Sequence, residues 1–240
     1  GGMRTVLLGL WLLLSFCAAA LPLPDDCRQL VLVLTADWDQ PQAELRRFER
    51  SRAGDPWRPV GEAWLAVVGR KGLAWGMAPS SGQAPHKKEG DGRAPAGAFA
   101  ITSLWLRPGI APPGPEGFVP QPIHPDTVAV DDPRSSHYNR ILRRSQTSVD
   151  WQSCEKMDIP DYDRVLVVAH NTESPQPGRG SCIFIHRWES PEIATSGCTA
   201  VAEGHMQALV DWLRPDHRPY LVQLPRGTAR AWQASGKLPR

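Results

Sequence analysis

The chain has 240 residues, 41% of them hydrophobic, and its 27 Lys and Arg against 25 Asp and Glu leave a formal net charge of +2. That is enough apolar material for one or two domains with a proper core, and the charge is too balanced to argue for a nucleic-acid partner. The 24 Pro and 21 Gly require many turns and long connections, which favours a β-rich architecture over an all-helical one.

In chain order, Arg4 is followed by an apolar run over residues 6–16 and by Ala18-Ala19-Ala20. A short positive region, an apolar stretch and small residues form the pattern of a secretory signal, so cleavage is expected after Ala20 and residues 1–20 are set apart from the fold. The run falls short of the ~20 residues that cross a bilayer, so no stable membrane span is expected after cleavage. Residues 30–35 (Leu-Val-Leu-Val-Leu-Thr) read as a buried first strand. Residues 42–51 space Ala43, Leu45 and Phe48 between charges, which suits a short helix or an irregular strand. Strands are expected at 57–60, 63–68 and 72–76. A polar, Gly-rich stretch over 86–97 then enters a strand at 98–101, and Lys88, Glu89 and Asp91 within it suit a solvated turn.

Residues 107–126 are dense in Pro and Gly and predict a long loop or lid. A short strand at 128–130 leads to the turn signal Asp131-Asp132-Pro133. The apolar runs 165–169 and 182–186, joined by a polar loop over 171–180, predict a hairpin. Residues 200–213 predict an amphipathic helix, with Val201, Met206, Leu209, Val210 and Leu213 on one broad face and Pro215 ending it. A last strand is expected at 220–224, and residues 225–240 read as a loose tail. The whole reads as one domain over 21–224: mainly β, a sandwich or partly closed barrel, with a helix following the turn that carries Cys198.

That turn, Thr195-Ser196-Gly197-Cys198-Thr199, lies twelve residues after His186, which ends the run Cys182-Ile183-Phe184-Ile185. A strand that delivers a His, a Gly-Cys turn and a helix start together build a cysteine nucleophile. The helix N–H groups would favour thiolate, and the imidazole would serve as base. Gly197 lets the backbone approach closely. Ser196 and Thr199 either cap the helix or touch substrate, and Tyr138 and Asn139 are further candidates for the cleft. If Cys198 is the nucleophile, at most one disulfide can form among Cys27, Cys154 and Cys182. His137, His170 and His186 lack metal-ligand spacing, so no metal or other cofactor is expected. Most of the ten Trp are expected in the core, with Trp151 and Trp188 the ones that could meet a glycan or peptide.

These pieces resemble the L,D-transpeptidase catalytic domain, the YkuD-type fold. The family pattern is a His on a strand, a connecting loop, then Ser/Thr-His-Gly-Cys. His186 matches the strand His, and Thr195-Ser196-Gly197-Cys198 matches the cysteine box. Ala94-Pro95-Ala96-Gly97-Ala98-Phe99 is similar to the family's Thr-Pro-x-Gly-x-Phe run. The string from Lys88 to Gly97, Asp131-Asp132-Pro133, Tyr138-Asn139 and the run from Gly180 to His186 resemble an exported bacterial subgroup. Ser196 stands where the family usually has His, Ala200 where it often has Arg or Asn, and the His-to-Cys spacing is shorter than usual. The resemblance implies an exported enzyme of the periplasm or cell wall. It would take a peptidoglycan stem peptide as acyl donor, form a thioester on Cys198, and pass the acyl group to an amine. An L,D-carboxypeptidase using water, and an inactive wall-binding scaffold, are the alternatives.

Overall fold

The computed structural model describes residues 23–77 and 85–240. The expected signal segment, residues 1–20, lies outside them. In chain order the described elements are β1 (Gln29–Thr35), β2 (Gln42–Glu49), β3 (Arg58–Pro59), β4 (Trp64–Val67), β5 (Leu73–Trp75), β6 (Ala94–Leu106), β7 (Pro120–Pro122) and β8 (Thr127–Val130). They continue with β9 (Ile141–Arg143), β10 (Cys154–Lys156), β11 (Arg164–Val168), β12 (Phe184–Arg187), β13 (Thr199–Val201), α1 (Glu203–Trp212), β14 (Tyr220–Pro225) and α2 (Arg226–Ala234).

Eight strands close on themselves: β1, β14, β6, β11, β12, β13, β4 and β2 each pair with the next, and β2 returns to β1. The β1–β14 and β12–β13 pairs are parallel and the rest antiparallel. Closure satisfies backbone groups that an open sheet would leave at its edges. The fold is therefore mainly β and barrel-like, as expected from the sequence. β1 is buried at every position, because α2 covers it from outside while the barrel core takes its other face. The expected hairpin forms, with Leu166 opposite Ile185.

Residues 42–49 resolve as strand β2 rather than helix. Ala43, Leu45 and Arg47 share a face. Arg47 fills the third position because its guanidinium lies over the Trp64 ring at 3.9 Å and near that of Trp212 at 5.7 Å. A charged residue doing apolar packing breaks the alternation that would have announced a strand. β6 is far longer than the 98–101 run suggested, because it pairs with β14, β11, β5 and β7 along its length. That last partner, β7, is a short strand within the expected 107–126 loop. Residues 226–234 form α2 instead of a loose tail: Ala229 and Leu238 bury in the core, and Trp232 packs 6.2 Å from Trp75.

β8, β9 and β10 form a separate three-stranded sheet, an annex leaning on the outside of the barrel. One of its faces, with Val128 and Val130, closes over Trp151. The other, with Ala129, packs into a cluster with Met157, Tyr162, Cys182, Phe184 and Cys198. This second cluster is where annex meets barrel.

Candidate active site

Alternation along β12 and β13 sorts the functional residues. Ile185 and Val201 point into the barrel core, so Phe184, His186, Cys198 and Ala200 point outward toward the annex. His186 pairs with Ala200. Cys198 sits two residues earlier on the same face, which puts its Cα about 8 Å from that of His186 by ordinary strand spacings. Both line one cleft of about 400 Å³, together with Lys87, Glu155, Tyr162, Trp188 and Ser196.

The turn before Cys198 is folded by Thr195. Its hydroxyl accepts the Gly197 N–H at 3.1 Å and donates to the Cys198 carbonyl at 2.6 Å. Thr195 is itself tied to the 68–70 segment, its N–H donating to the Val68 carbonyl and its carbonyl accepting the Arg70 N–H. At Gly197 a Cβ would come within 3.0 Å of the Arg93 carbonyl. The residue must therefore be small because the Gly-rich stretch ending at Arg93 passes directly behind the turn.

Three short elements of the sequence reading are corrected here. First, Cys198 feeds strand β13, and α1 begins only at Glu203, so the expected helix N-terminus does not follow the sulfur. Burial instead pushes the Cys198 thiol up to about 12; the Glu155 charge adds to this, while the Phe184 N–H and Tyr162 hydroxyl pull the other way. Burial also lowers His186 below its ordinary value. Both shifts favour a neutral thiol beside a neutral imidazole, not a resting thiolate–imidazolium pair. Second, Thr199 alternates away from the cleft. It is buried inside the barrel, where it donates to Gln223 Oε1 at 2.8 Å, and Gln223 in turn donates to the Pro95 carbonyl. Third, Tyr138 and Asn139 stand behind the cleft and do not line it. The Tyr138 hydroxyl donates to Glu89 and accepts the Gly180 N–H. Asn139 accepts the Cys182 N–H at 2.8 Å and donates to the His170 and Asn171 carbonyls.

The Asn139 contact reaches Cys198. Cys182 has φ +56°, a left-handed conformation costly for a side chain with a Cβ. That twist aims its carbonyl at Cys198, whose thiol donates to it at 3.3 Å. His186 is fixed from the other side. Its Nδ1 lies 2.6 Å from the Arg187 carbonyl. A carbonyl only accepts, so Nδ1 carries the proton and Nε2 keeps a lone pair for base chemistry. Arg187 is held by the Pro160 carbonyl and by Asp163.

In the expected solvated turn Lys88 is exposed and Glu89 and Asp91 are half-buried, while the neighbouring Lys87 is a buried hook. Lys87 is 4% exposed and pairs with Asp91 at 2.6 Å; Asp91 also accepts the Lys88 and Arg93 N–H groups. Sequence reasoning missed Glu155 and Tyr162, which bond each other at 3.0 Å in the cleft wall. No spacing links them to the Gly-Cys turn; only the docking of the annex brings them there. Of the other residues singled out, Ser196 sits at the cleft mouth with its hydroxyl accepting from Arg70 at 3.3 Å, and Trp188 lines the cleft. Trp151 packs in the annex against His137. His170 is buried beside Phe99, so His137, His170 and His186 do not converge. Cys27, Cys154, Cys182 and Cys198 are all free thiols. Cys154 and Cys182 belong to clusters on opposite faces of the annex sheet.

No curated protein sequence matches the chain. Among solved structures the chain is similar to the helical cell shape determining protein Pgp2 from Campylobacter jejuni, at 13% identity and a TM-score of 0.34. That alignment covers 82% of this chain and 48% of the other, so the chain spans about half of that protein's length. The L,D-transpeptidase catalytic domain family matches residues 59–224, a stretch that takes in β4 through nearly all of β14 and every residue of the cleft. The chain belongs to the L,D-transpeptidase catalytic domain family.

Proposed function

We propose that the protein is an exported cysteine acyltransferase that cuts an L,D peptide bond in a peptidoglycan stem peptide and passes the acyl group to an amine. The observation that carries this is the shared cleft: a free Cys198 thiol and a His186 whose Nε2 is unencumbered, facing the same side of adjacent parallel strands. The signal-like pattern in residues 1–20 supports export to the periplasm or wall.

The thiol proton passes to His186 Nε2 as the sulfur attacks the carbonyl carbon, forming the S–C bond. The oxyanion meets the Cys198 N–H, because the Gly197 N–H is already taken by Thr195. One such donor is worth about 3 kcal/mol in comparable sites. The imidazolium then protonates the leaving amine, the C–N bond breaks, and a thioester remains. An acceptor amine attacks the thioester, its nitrogen bonds the carbonyl carbon, the C–S bond breaks, and the amine's proton returns to the departing sulfur by way of His186. The cleft wall carries the carboxyl groups of Glu89, Asp131, Glu155, Asp161 and Glu189. Such a wall concentrates ammonium groups, which favours an amine acceptor over water.

The test is mass spectrometry of the folded protein with a carbapenem, followed by incubation with tetrapeptide muropeptides. One covalent adduct on Cys198 is expected, absent in Cys198→Ala, together with cross-linked dimers or D-amino-acid exchange. Tripeptide as the sole product would overturn the transferase assignment in favour of hydrolysis. An unmodified, folded protein with no product would sink the enzymatic reading and leave a wall-binding scaffold.

A further inference from the structure

Glu155 is an odd resident of this cleft. It sits on β10 opposite Ala129, so its side chain turns to the face that packs on Cys198 and Cys182. Around it stand other acids, Asp131 and Glu89, and the thiols of Cys182 and Cys198. Lys87, the cation of the 87–93 segment that lines the cleft, is committed to Asp91. The neighbour that stabilises its charge is the Tyr162 hydroxyl, which donates to Glu155 Oε2 at 3.0 Å.

Tyr162 is equally placed toward the nucleophile. Its ring stands 5.0 Å from the His186 ring and 5.8 Å from that of Phe184, edge-on to both. It packs in one cluster with Cys198 and lines the same cleft, where its hydroxyl favours the ionised sulfur. A phenol has one proton to donate. It can satisfy the Glu155 carboxylate or a Cys198 thiolate, but not both at once.

We propose that Glu155 and Tyr162 are positioning residues that deliver a hydrogen bond to the Cys198 thiolate only when Glu155 is protonated. With Glu155 charged, Tyr162 is turned to the carboxylate, and two negative charges would face each other if the thiol ionised. With Glu155 protonated, its own O–H donates to the Tyr162 oxygen and the phenol proton turns to the sulfur. The chain Glu155–Tyr162–sulfur then stabilises the nucleophile. Burial, joined by the charges of Asp131 and Glu89, raises the Glu155 carboxyl to about 7, so the change falls in a physiological range. The inference rests on Cys198 being the reactive thiol, and not on which acyl donor it attacks.

The experiment follows alkylation of the whole protein by iodoacetamide, read by peptide mass spectrometry at Cys198. The thiolate sulfur displaces iodide, an S–C bond forms as the C–I bond breaks, and the thiol proton goes to buffer. An uncoupled thiol gives a log rate rising with unit slope from about pH 6 to about pH 9. Coupling to Glu155 produces a different shape. The rate rises to the Glu155 titration, then flattens, because each further loss of thiol proton is matched by the loss of the glutamic-acid form that supports it. Glu155→Gln, a permanent uncharged mimic, should remove the plateau and react roughly tenfold faster than wild type near pH 9. Tyr162→Phe should react roughly tenfold slower near pH 7. A wild-type profile with unit slope throughout overturns the proposal and needs no variant. So does a Glu155→Gln profile superimposable on wild type. A plateau in a protein that fails the muropeptide assay would refute the acyltransferase and leave this coupling standing.

Discussion

The barrel and the annex are held together by different means. The barrel is closed by ladders of backbone hydrogen bonds around an apolar interior of Leu30, Leu32, Leu45, Leu104, Leu166 and Ile185, all essentially inaccessible. The annex has three short strands and a small core, and it is tied instead by carboxylates used as hooks. Asp126 holds Arg143 and Ser145, Asp132 holds the N–H groups of Arg134 and Gln152, and Asp150 holds Ser135 and Ser136. The two parts also divide the site. The barrel strands carry Cys198 and His186; the annex and its flanking turns bring Glu155, Tyr162 and, through Cys182, the bond that orients the thiol. On the proposed function, a rigid apolar scaffold thus holds the groups that make and break bonds, while a polar module sets their protonation and orientation.

The largest effect expected from this division comes from the barrel. His186→Ala removes the base while leaving the ladder hydrogen bonds intact, so acyl transfer should fall about 10²–10⁴-fold with little change in the unfolding midpoint. The carbapenem adduct should still form, much more slowly. A His186→Ala protein with near wild-type turnover would break the assignment of chemistry to the barrel.

Next comes the buttress on the annex side. Asn139 makes hydrogen bonds to Cys182, His170 and Asn171 from a left-handed backbone, φ +61°. Asn139→Ala loses the bonds and also pays the left-handed strain, about 3 kcal/mol of stability in all. Asn139→Gly loses the bonds but keeps the backbone relaxed, and should recover about 1 kcal/mol of that. Urea unfolding of the two variants separates the terms. Both should speed Cys198 alkylation, because the Cys182 carbonyl that accepts from the neutral thiol is no longer aimed. Destabilisation with wild-type alkylation would mean that the buttress serves the fold alone.

The same division explains which features could be read from the residues. The barrel strands announce themselves by apolar runs such as 30–35 and 182–186, and the His186 and Gly197-Cys198 pieces are local enough to recognise. β2 hides because Arg47 takes an apolar position by lying over Trp64. α2 hides because a sequence ending in Gly, Lys, Pro and Arg looks frayed until Trp232 finds Trp75. The α1 start was misplaced because residues 199–201 are apolar and β-branched enough for a strand, yet continue in phase with the helix stripe. Thr199 was misassigned for the same reason: only the strand's alternation shows that it must face away from Cys198. Glu155 and Tyr162 carry no local signal. Their meaning comes from a contact between β10, the turn at 160–162 and the barrel wall, separated from Cys198 by dozens of residues.

The smallest effect sharpens the annex side of the comparison. Donation from Ser135 and Ser136 holds the Asp150 carboxyl down at about 2, against an ordinary 3.8. A carboxyl depressed in the folded state favours folding above its unfolded value and loses that contribution as pH falls through the folded value. Wild type should therefore lose stability between about pH 4 and about pH 2, and Asp150→Asn should lose less over that window. The variant starts slightly less stable at neutral pH, and the two curves converge as acid protonates the wild-type hook. Chemical unfolding at a series of pH values measures the gap. Because Asp150 touches Ser135 and Ser136 at the far side of the annex, Cys198 alkylation at neutral pH should stay at the wild-type rate. A marked change there would show that the hooks and the Glu155–Tyr162 arm act as one unit, and the split between holding the annex together and tuning the sulfur would have to be redrawn.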